Sequence, residues 1–236
     1  MQDQDQRSIR FANAITDYYN GLRLGRSLDT ATEAIGLFRL AAAEMESLGL
    51  PAREAVVYLH LGATLCQRTR RHYPQLNLAD AAEAERVLDQ ALETLRTVRH
   101  ASRRAIEGSI LAWRARCRTF LAESDRELNL GAIRDGRRAV KLLKTSGGVL
   151  EPKRKHDLAN AHLHLARAHF FQACAERQSG WRPRLLDFIR IVVLGRGHFT
   201  QTHIHAEKTL RLIEFAPELK IEADWLLEQA KAARGQ

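Results

Sequence analysis

Histidine is the residue type in this sequence that most evidently could bind a metal ion or take part in catalysis. The chain has ten histidines, and six of them cluster towards its C-terminal part: His162, His164, His169, His198, His203 and His205. His162 and His169 share one face of a helix because they are separated by about two turns. However, the stretch contains no His-x-x-x-His or Glu-x-x-His pair of the kind that holds zinc on a helix. The sequence therefore predicts no metal site.

Other patterns that could carry catalysis are weak. Gly195-Arg-Gly197 is half of a phosphate-binding loop and lacks the Gly-Lys-Ser/Thr that completes it. No Ser or Cys lies in a nucleophile elbow, and the acids Glu83 and Glu85 fall on different sides of a helix. We therefore predict a non-enzymatic protein that uses no cofactor.

Basic residues are the second chemical feature. The net charge is +9, and residues 51–200 carry 27 basic and 15 acidic residues, a local excess of +12. Such an excess favours an anionic partner such as nucleic acid. The candidate phosphate contacts are Arg68, Arg70, Arg71, Arg99, Arg103, Arg104, Arg134, Arg137, Arg138 and Lys141. The alternative is that arginine, with 30 of the 37 basic residues, is simply the preferred surface cation.

The sequence also indicates a compartment. The three cysteines, Cys66, Cys117 and Cys174, are far apart and form no Cys-x-x-Cys pair, which favours a reducing environment. The polar start "MQDQDQRSIRF" does not resemble a signal peptide. The most apolar run, "FIRIVVLG", is too short to span a bilayer. We expect a cytoplasmic protein without a membrane segment.

Nearly every segment has the hydrophobic period of a helix. Pro51 is expected in the first turn of a helix and Asn77 just before one, whereas Ser124 to Glu127 form a capping-box pattern. The apolar piece "LLDFIRIVVL" is interpreted as a short helix, because no other strand is available to pair with it. The sequence thus predicts an all-α domain of about ten helices over residues 1–236, closed by a C-terminal capping helix over 217–236.

Two spacings recur along these helices. In "YLHLGATL", the residues Tyr58, Leu61, Gly62 and Leu65 place a glycine between large side chains, and small residues recur at Ala115 and Ala166. The intervening helices share a pattern of alanine, a variable residue and alanine at spacings of four and three: Ala34/Phe38/Ala41, Ala84/Leu88/Ala91 and Ala132/Gly136/Ala139. Two helices can approach closely where one offers a small side chain and the other a large one. We therefore expect these helices to pair as hairpins.

These residues resemble the tetratricopeptide-repeat family, whose first helix reads large–Leu–Gly–large and whose second helix carries spaced alanines. The resemblance covers roughly residues 30–217. The period here is near 50 residues rather than about 34. The resemblance implies an array of antiparallel hairpins, as a right-handed α-solenoid or a compact helical-repeat domain. The alternative is an irregular helical bundle with coincidental alanine spacing.

In that family the first helices line a concave groove that binds peptides. The resemblance therefore implies a partner-binding groove in this chain, formed by Val56, Leu59, Ala63, Arg70, Ala112, Arg116, Asn160, Leu163, Arg167 and Phe170. Arg116 and Arg167 each follow the small alanine of their helix, so the pair is expected to hold an acidic group. Asn160 is expected to bond a ligand backbone. The alternative is that these arginines pair with acids of the chain itself.

Residues 179–199 form an expected insertion in the fourth hairpin. The predicted interface residues in it are Trp181, Arg182, Arg184, Phe188, Arg190 and Arg196, because aromatic and arginine side chains are favoured interface anchors. The alternative is that its apolar residues plug the open end of the core. Taken together, the residues predict a non-catalytic adaptor that binds another protein. A nucleic-acid-binding subunit and a regulatory subunit of an enzyme remain alternatives, and the oligomeric state is not predicted.

Overall fold

A computed structural model describes residues 2–69, 76–100, 102–122, 125–145, 152–178 and 197–234. Over these residues the chain forms nine α-helices, two short 3₁₀ turns and no β-strand, so the predicted all-α fold is confirmed. The α-helices are α1 (Gln2–Leu24), α2 (Ala31–Ser47), α3 (Pro51–Arg68), α4 (Leu78–Arg96), α5 (Arg103–Leu121), α6 (Arg126–Thr145), α7 (Pro152–Gln178), α8 (His198–Leu210) and α9 (Lys220–Arg234). The 3₁₀ turns are Ile213–Phe215 and Pro217–Leu219. None of these helices is both long enough and apolar enough to cross a bilayer.

The helix ends follow local chemistry. Pro51 occupies the first position of α3, as predicted. The Asn77 side chain accepts a hydrogen bond from the Asp80 backbone N–H at 3.4 Å, and so caps α4 as predicted. The cap of α6 lies one residue later than the predicted Ser124, because Asp125 accepts the Glu127 backbone N–H at 2.8 Å. Residues close in sequence therefore set the starts of α3, α4 and α6.

Successive helices pack against each other as hairpins: α1 with α2, α3 with α4, α5 with α6, and α7 with α8. In addition α5 packs on α3, and α7 packs on α5. The connections within most of these pairs are short, which makes sequential helices antiparallel. The chain is therefore an array of antiparallel hairpins in which the first helices α3, α5 and α7 lie side by side.

The predicted close approach between hairpin partners is present. A Cβ atom added to Gly62 of α3 would lie 2.6 Å from Leu88 Cγ of α4, so the glycine makes room for the leucine. The roles are exchanged where two successive hairpins meet. There Gly136 of α6 receives Leu165 of α7, again at 2.6 Å from a built Cβ to Cγ.

The C-terminal part of the chain is described from residue 197 onwards. His198 and Phe199, the last two residues of the expected insertion, lie in the first turn of α8. Residues 179–196 lie outside the described residues, and so does the short helix predicted there. The last helix, expected from Pro217, begins as a 3₁₀ turn at Pro217–Leu219 and continues as α9.

Candidate functional site

The helices α3, α5 and α7, together with the end of α1, border a cavity of about 390 Å³, which we call the groove. Its apolar wall includes Leu59 and Ala63 of α3, both predicted groove residues, and Trp113 of α5. Arg26 and Lys153 contribute positive charge to its rim, and both are exposed. The groove therefore combines a buried aromatic surface with two accessible cations.

Titratable side chains form the polar side of the groove. Lys153 Nζ lies 3.1 Å from His60 Nε2. Burial, and then the charge of Lys153, lower the pKa of His60 to about 4, so the neutral imidazole accepts a hydrogen bond from the ammonium group. Hydrogen bonds to Asp157 and Glu218 raise the pKa of His156. Lys153 thus has a neutral partner, whereas His156 has acidic ones.

The structure brings the two predicted anchor arginines to one aromatic ring. The guanidinium carbon of Arg116 lies 5.8 Å from the Phe120 ring centroid, and that of Arg167 lies 4.9 Å from it. Arg116 is also 5.0 Å from the Trp113 ring, and its buried Nε has no hydrogen-bond partner among the described residues. Arg167 donates to Glu222 at 3.0 Å. The charge of Arg167 is therefore balanced by an acid of the chain itself, whereas Arg116 is held by aromatic stacking.

Asn160 is fully buried on the face of α7 that meets α5. One turn before it, Asp157 accepts a hydrogen bond from Ser109 of α5 at 2.5 Å. One turn after it, His164 Nδ1 lies 3.3 Å from the Thr119 hydroxyl of α5. Neither polar atom of the Asn160 side chain has a hydrogen-bond partner among the described residues. A buried amide without partners costs about 1–3 kcal/mol, which is the energy a bound polar group can recover.

Three predicted groove residues pack between helices instead. Ala112 is fully buried where α5 meets α6 and α7, and Leu163 is fully buried against α8 and α9. The Phe170 ring lies 6.0 Å from Phe199 and 5.3 Å from Trp225, measured between centroids. The physical reason is that α7 is covered on several sides, so a periodic apolar stripe on it need not face the groove.

Several groove residues were not predicted, namely His60, Trp113, Lys153 and His156. One signal in the sequence could have found the last two. Lys153 and His156 fall on the same stripe of α7 as Asn160 and Arg167, at helical spacing. Extending that stripe by two turns towards the N-terminus reaches both residues.

Some of the predicted phosphate contacts form hydrogen bonds or ion pairs within the chain, and others are exposed. Arg68 donates to both carboxylate oxygens of Asp80, at 2.8 and 2.6 Å. Arg138 pairs with Glu107, and Arg103 donates to the Val98 carbonyl at 3.4 Å. The exposed members are Arg99, Arg104, Arg134, Arg137 and Lys141. The predicted residues Arg70, Arg71, Trp181, Arg182, Arg184, Phe188, Arg190 and Arg196 lie outside the described residues.

Within the part of the chain that the structure describes, no group of three or more His, Cys, Asp or Glu side chains is arranged to hold a metal ion. No protein-family model matches the sequence, and no curated protein is significantly similar to it. Any conclusion about function therefore depends on the geometry of the chain itself.

Proposed function

We propose that this chain is a non-catalytic adaptor that binds an extended segment of a partner protein in the groove. The observation that carries the proposal is the composition of the groove: an apolar wall that includes Leu59, Ala63 and Trp113, next to the exposed cations Arg26 and Lys153. Binding sites commonly combine apolar burial with a few convergent polar groups. The resemblance to tetratricopeptide-repeat proteins supports the same function.

The composition of the groove defines the kind of segment that would fit. An apolar side chain of the partner would be buried against Trp113. An acidic side chain beside it would pair with Lys153, whose partner in the free chain is the neutral imidazole of His60 rather than a carboxylate. The buried amide of Asn160, two turns further along α7, would bond the partner backbone after an adjustment of the helices.

The test is selection of binders from a library of random peptides displayed on phage. We expect enrichment of peptides that carry an acidic residue next to a large apolar one. Peptides selected in this way should then be titrated against the folded variant Arg26→Glu/Lys153→Glu, and their affinity should fall by at least about tenfold.

A matched control is Arg86→Glu/Arg99→Glu, which reverses the same amount of charge at exposed positions outside the groove. This control should bind the selected peptides like the wild type. Equal losses in both double variants would show a general charge effect and reject the groove. Arg167→Glu is not a clean test, because it would place a second acid beside Glu222.

A second candidate function is nucleic-acid binding, favoured by α6. Arg134, Arg137 and Lys141 are exposed at helical spacing on α6, and none of them forms an ion pair within the described residues. Phosphate contacts of this kind make affinity fall steeply with salt. Anisotropy of a labelled single-stranded RNA, titrated at low and physiological salt, tests this candidate. Affinity that does not change with salt, or that survives Arg134→Glu/Lys141→Glu, excludes it.

A further inference from the structure

Four imidazole rings from α7 and α8 form a continuous row inside the molecule. His162 Nδ1 lies 2.8 Å from His205 Nδ1, and His169 Nδ1 lies 2.7 Å from His198 Nδ1. The rings of His169 and His205 stack between these two pairs, with their centroids 6.1 Å apart and their planes 4° from parallel. We call these four residues the histidine row. It lies apart from the groove, because Asn160 and His164 of α7 face α5, whereas His162 and His169 face α8.

The hydrogen-bond chemistry of the row fixes how many protons it can hold. Each Nδ1–Nδ1 contact needs one donor and one acceptor, so one ring of each pair carries its proton on Nδ1 and the other does not. A pair can accept one further proton on an Nε2 atom and keep its internal hydrogen bond. A second added proton would put hydrogen on both Nδ1 atoms and break the contact. The row can therefore take up two protons in total.

Positive side chains lie near this row. Arg137 and Lys144 come from α6 and Lys208 comes from α8, and all three are close enough to lower histidine pKa values. Lys208 is itself affected, because burial and the charges of Lys144 and Arg211 lower its pKa. Arg137, Lys144 and Lys208 form no ion pair within the described residues.

Acidic groups near the row are few. From α7 itself, Glu176 approaches His198 Nε2 at 3.4 Å. On α8, Glu207 is directed to His203, also at 3.4 Å, rather than to the row. Burial is the main cause that lowers the pKa of His162 to about 3, of His169 to about 2 and of His205 to about 4, and the neighbouring cations add to it. The row is therefore neutral in the free chain and lies in a positive field.

This arrangement is unfavourable in an isolated chain and favourable around an anion. The structure gathers cations that repel each other over buried rings, and the buried Nε2 of His169 has no hydrogen-bond partner among the described residues. Apolar side chains would fill the same space at lower cost. An anion would neutralise the cations and accept hydrogen bonds from protonated rings.

We propose that the histidine row, together with Arg137 and Lys144 of α6 and Lys208 of α8, binds a phosphate-bearing anion and takes up protons as it does so. The phosphate groups come either from a small oligophosphate or from a nucleic-acid backbone, which share this chemistry. Anion binding favours protonated histidine, so affinity increases as the pH falls from about 7.5 to about 6.

The experiment is calorimetric titration of the full chain with tripolyphosphate, repeated in two buffers that differ in their enthalpy of ionisation. We expect binding whose apparent heat depends on the buffer, because protons are taken up. Sulfate, which remains a dianion over this pH range, should bind more tightly at the lower pH, so the effect is not due to titration of the ligand. A competing single-stranded oligonucleotide distinguishes the two sources of phosphate by displacing tripolyphosphate or failing to displace it.

Two variants separate the cations from the rings. Lys144→Gln/Lys208→Gln should weaken tripolyphosphate binding by at least about tenfold, whereas Arg86→Gln/Lys231→Gln, which removes the same charge elsewhere, should not. His162→Gln/His205→Gln should remove about half of the proton uptake. Thermal unfolding of each variant confirms that it is folded. No binding by the wild type, equal binding by Lys144→Gln/Lys208→Gln, or binding without proton uptake each overturns the proposal.

Discussion

The two ends of the array differ in the side chains that fill their interiors. Helices α1 to α5 share one large apolar core, in which Phe38, Leu65, Leu88 and Phe120 are almost completely buried. Helices α6 to α9 contribute mainly to smaller apolar clusters. Between these clusters lie buried polar side chains: Asn129, Asn160, His162, His164, His169, Gln172 and His205.

The difference does not come from packing geometry. The same contact between glycine and leucine joins α3 to α4 and α6 to α7, with the same 2.6 Å approach. What differs is chemical character, because imidazole and amide groups occupy positions in the second region that apolar side chains occupy in the first. Buried polar groups cost stability unless they are bonded. We infer that the apolar core of the first region, whose helices also line most of the groove, is the scaffold of the array, and that the second region holds most of the buried imidazole and amide groups.

The largest expected effect tests the scaffold. Phe38→Ala should lower the free energy of unfolding by about 3–5 kcal/mol, because the side chain is 1% exposed in the apolar core and its loss leaves a cavity. Chemical denaturation followed by circular dichroism measures this change. The neighbouring Leu40→Ala is the control, since Leu40 is 59% exposed and its loss should change little. Similar losses for both variants would show that the core does not dominate stability here.

The next effect concerns the ion pairs that join α6 to α5 and α4, which we call the seam between the two regions. Asp135 of α6 accepts hydrogen bonds from Arg114 at 2.7 Å and from Arg118 at 2.8 Å, and these arginines also reach Asp89 and Glu85 of α4. Asp135→Asn should cost about 3–5 kcal/mol, because it leaves two partly buried guanidinium groups with an incomplete partner.

The matched control at the seam is Asp89→Asn. The Asp89 side chain is 50% exposed, and its one ion pair within the described residues is with Arg114, so its removal should cost less than about 1 kcal/mol. Hydrogen exchange measured on both variants shows where the loss acts. Asp135→Asn should raise exchange in α6 and α7 more than in α2. An equal rise in hydrogen exchange along the whole chain would mean that the two regions unfold as one unit.

Acid should act on the second region first. His162, His169 and His205 have lowered pKa values of about 3, 2 and 4 in the folded chain, against 6.5 as the ordinary value. The unfolded chain therefore binds more protons below about pH 6.5, and each of these histidines then removes about 1.4 kcal/mol of stability per pH unit until its folded pKa is reached. The contribution of these histidines to the free energy of unfolding is fully present above about pH 6.5, and it declines as the pH falls.

Urea unfolding measured between about pH 7 and about pH 5 tests this expectation. The variant His162→Gln/His205→Gln should show a shallower decline than the wild type. His60, whose pKa is also lowered to about 4, is the comparison from the first region. If His60→Gln flattens the decline more than the double variant does, the acid sensitivity belongs to the scaffold instead.

The sequence predicted what depends on near neighbours. Pro51 and Asn77 act within one turn of their own helices, so the local sequence alone placed the starts of α3 and α4 correctly. The contact of Gly62 with Leu88 was also predictable, because a small and a large residue recur at matched spacings along a hairpin.

Contacts across the array could not be predicted in the same way. Lys153 and His60 are separated by 93 positions, and nothing in either local segment indicates the other. Leu163 was placed in the groove because α7 has two apolar stripes, and periodicity does not tell which stripe meets α8 and α9. The histidines were recognised as a cluster in sequence, but their pairing needed the relative rotation of α7 and α8.

The smallest effect compares one contact in both regions. Gly62→Ala should cost about 1–3 kcal/mol, because the new methyl group collides with Leu88 Cγ, and Leu88 is fully buried in the apolar core. Gly136→Ala creates the same collision with Leu165. Leu165 belongs to a smaller cluster, so the surrounding side chains can yield further and the cost should be lower. Denaturation midpoints of the two variants give the comparison.

Gly36→Ala is the matched control, because no described residue beyond the helix's own backbone lies within 4 Å of a Cβ built at Gly36. It should stabilise the chain by about 0.5–1 kcal/mol through helix propensity alone. Adding Leu88→Ala to Gly62→Ala should remove the collision, so the two changes together should cost less than their sum. If Gly136→Ala costs as much as Gly62→Ala, the second region is packed as rigidly as the first. The contrast between the regions would then be one of polarity alone.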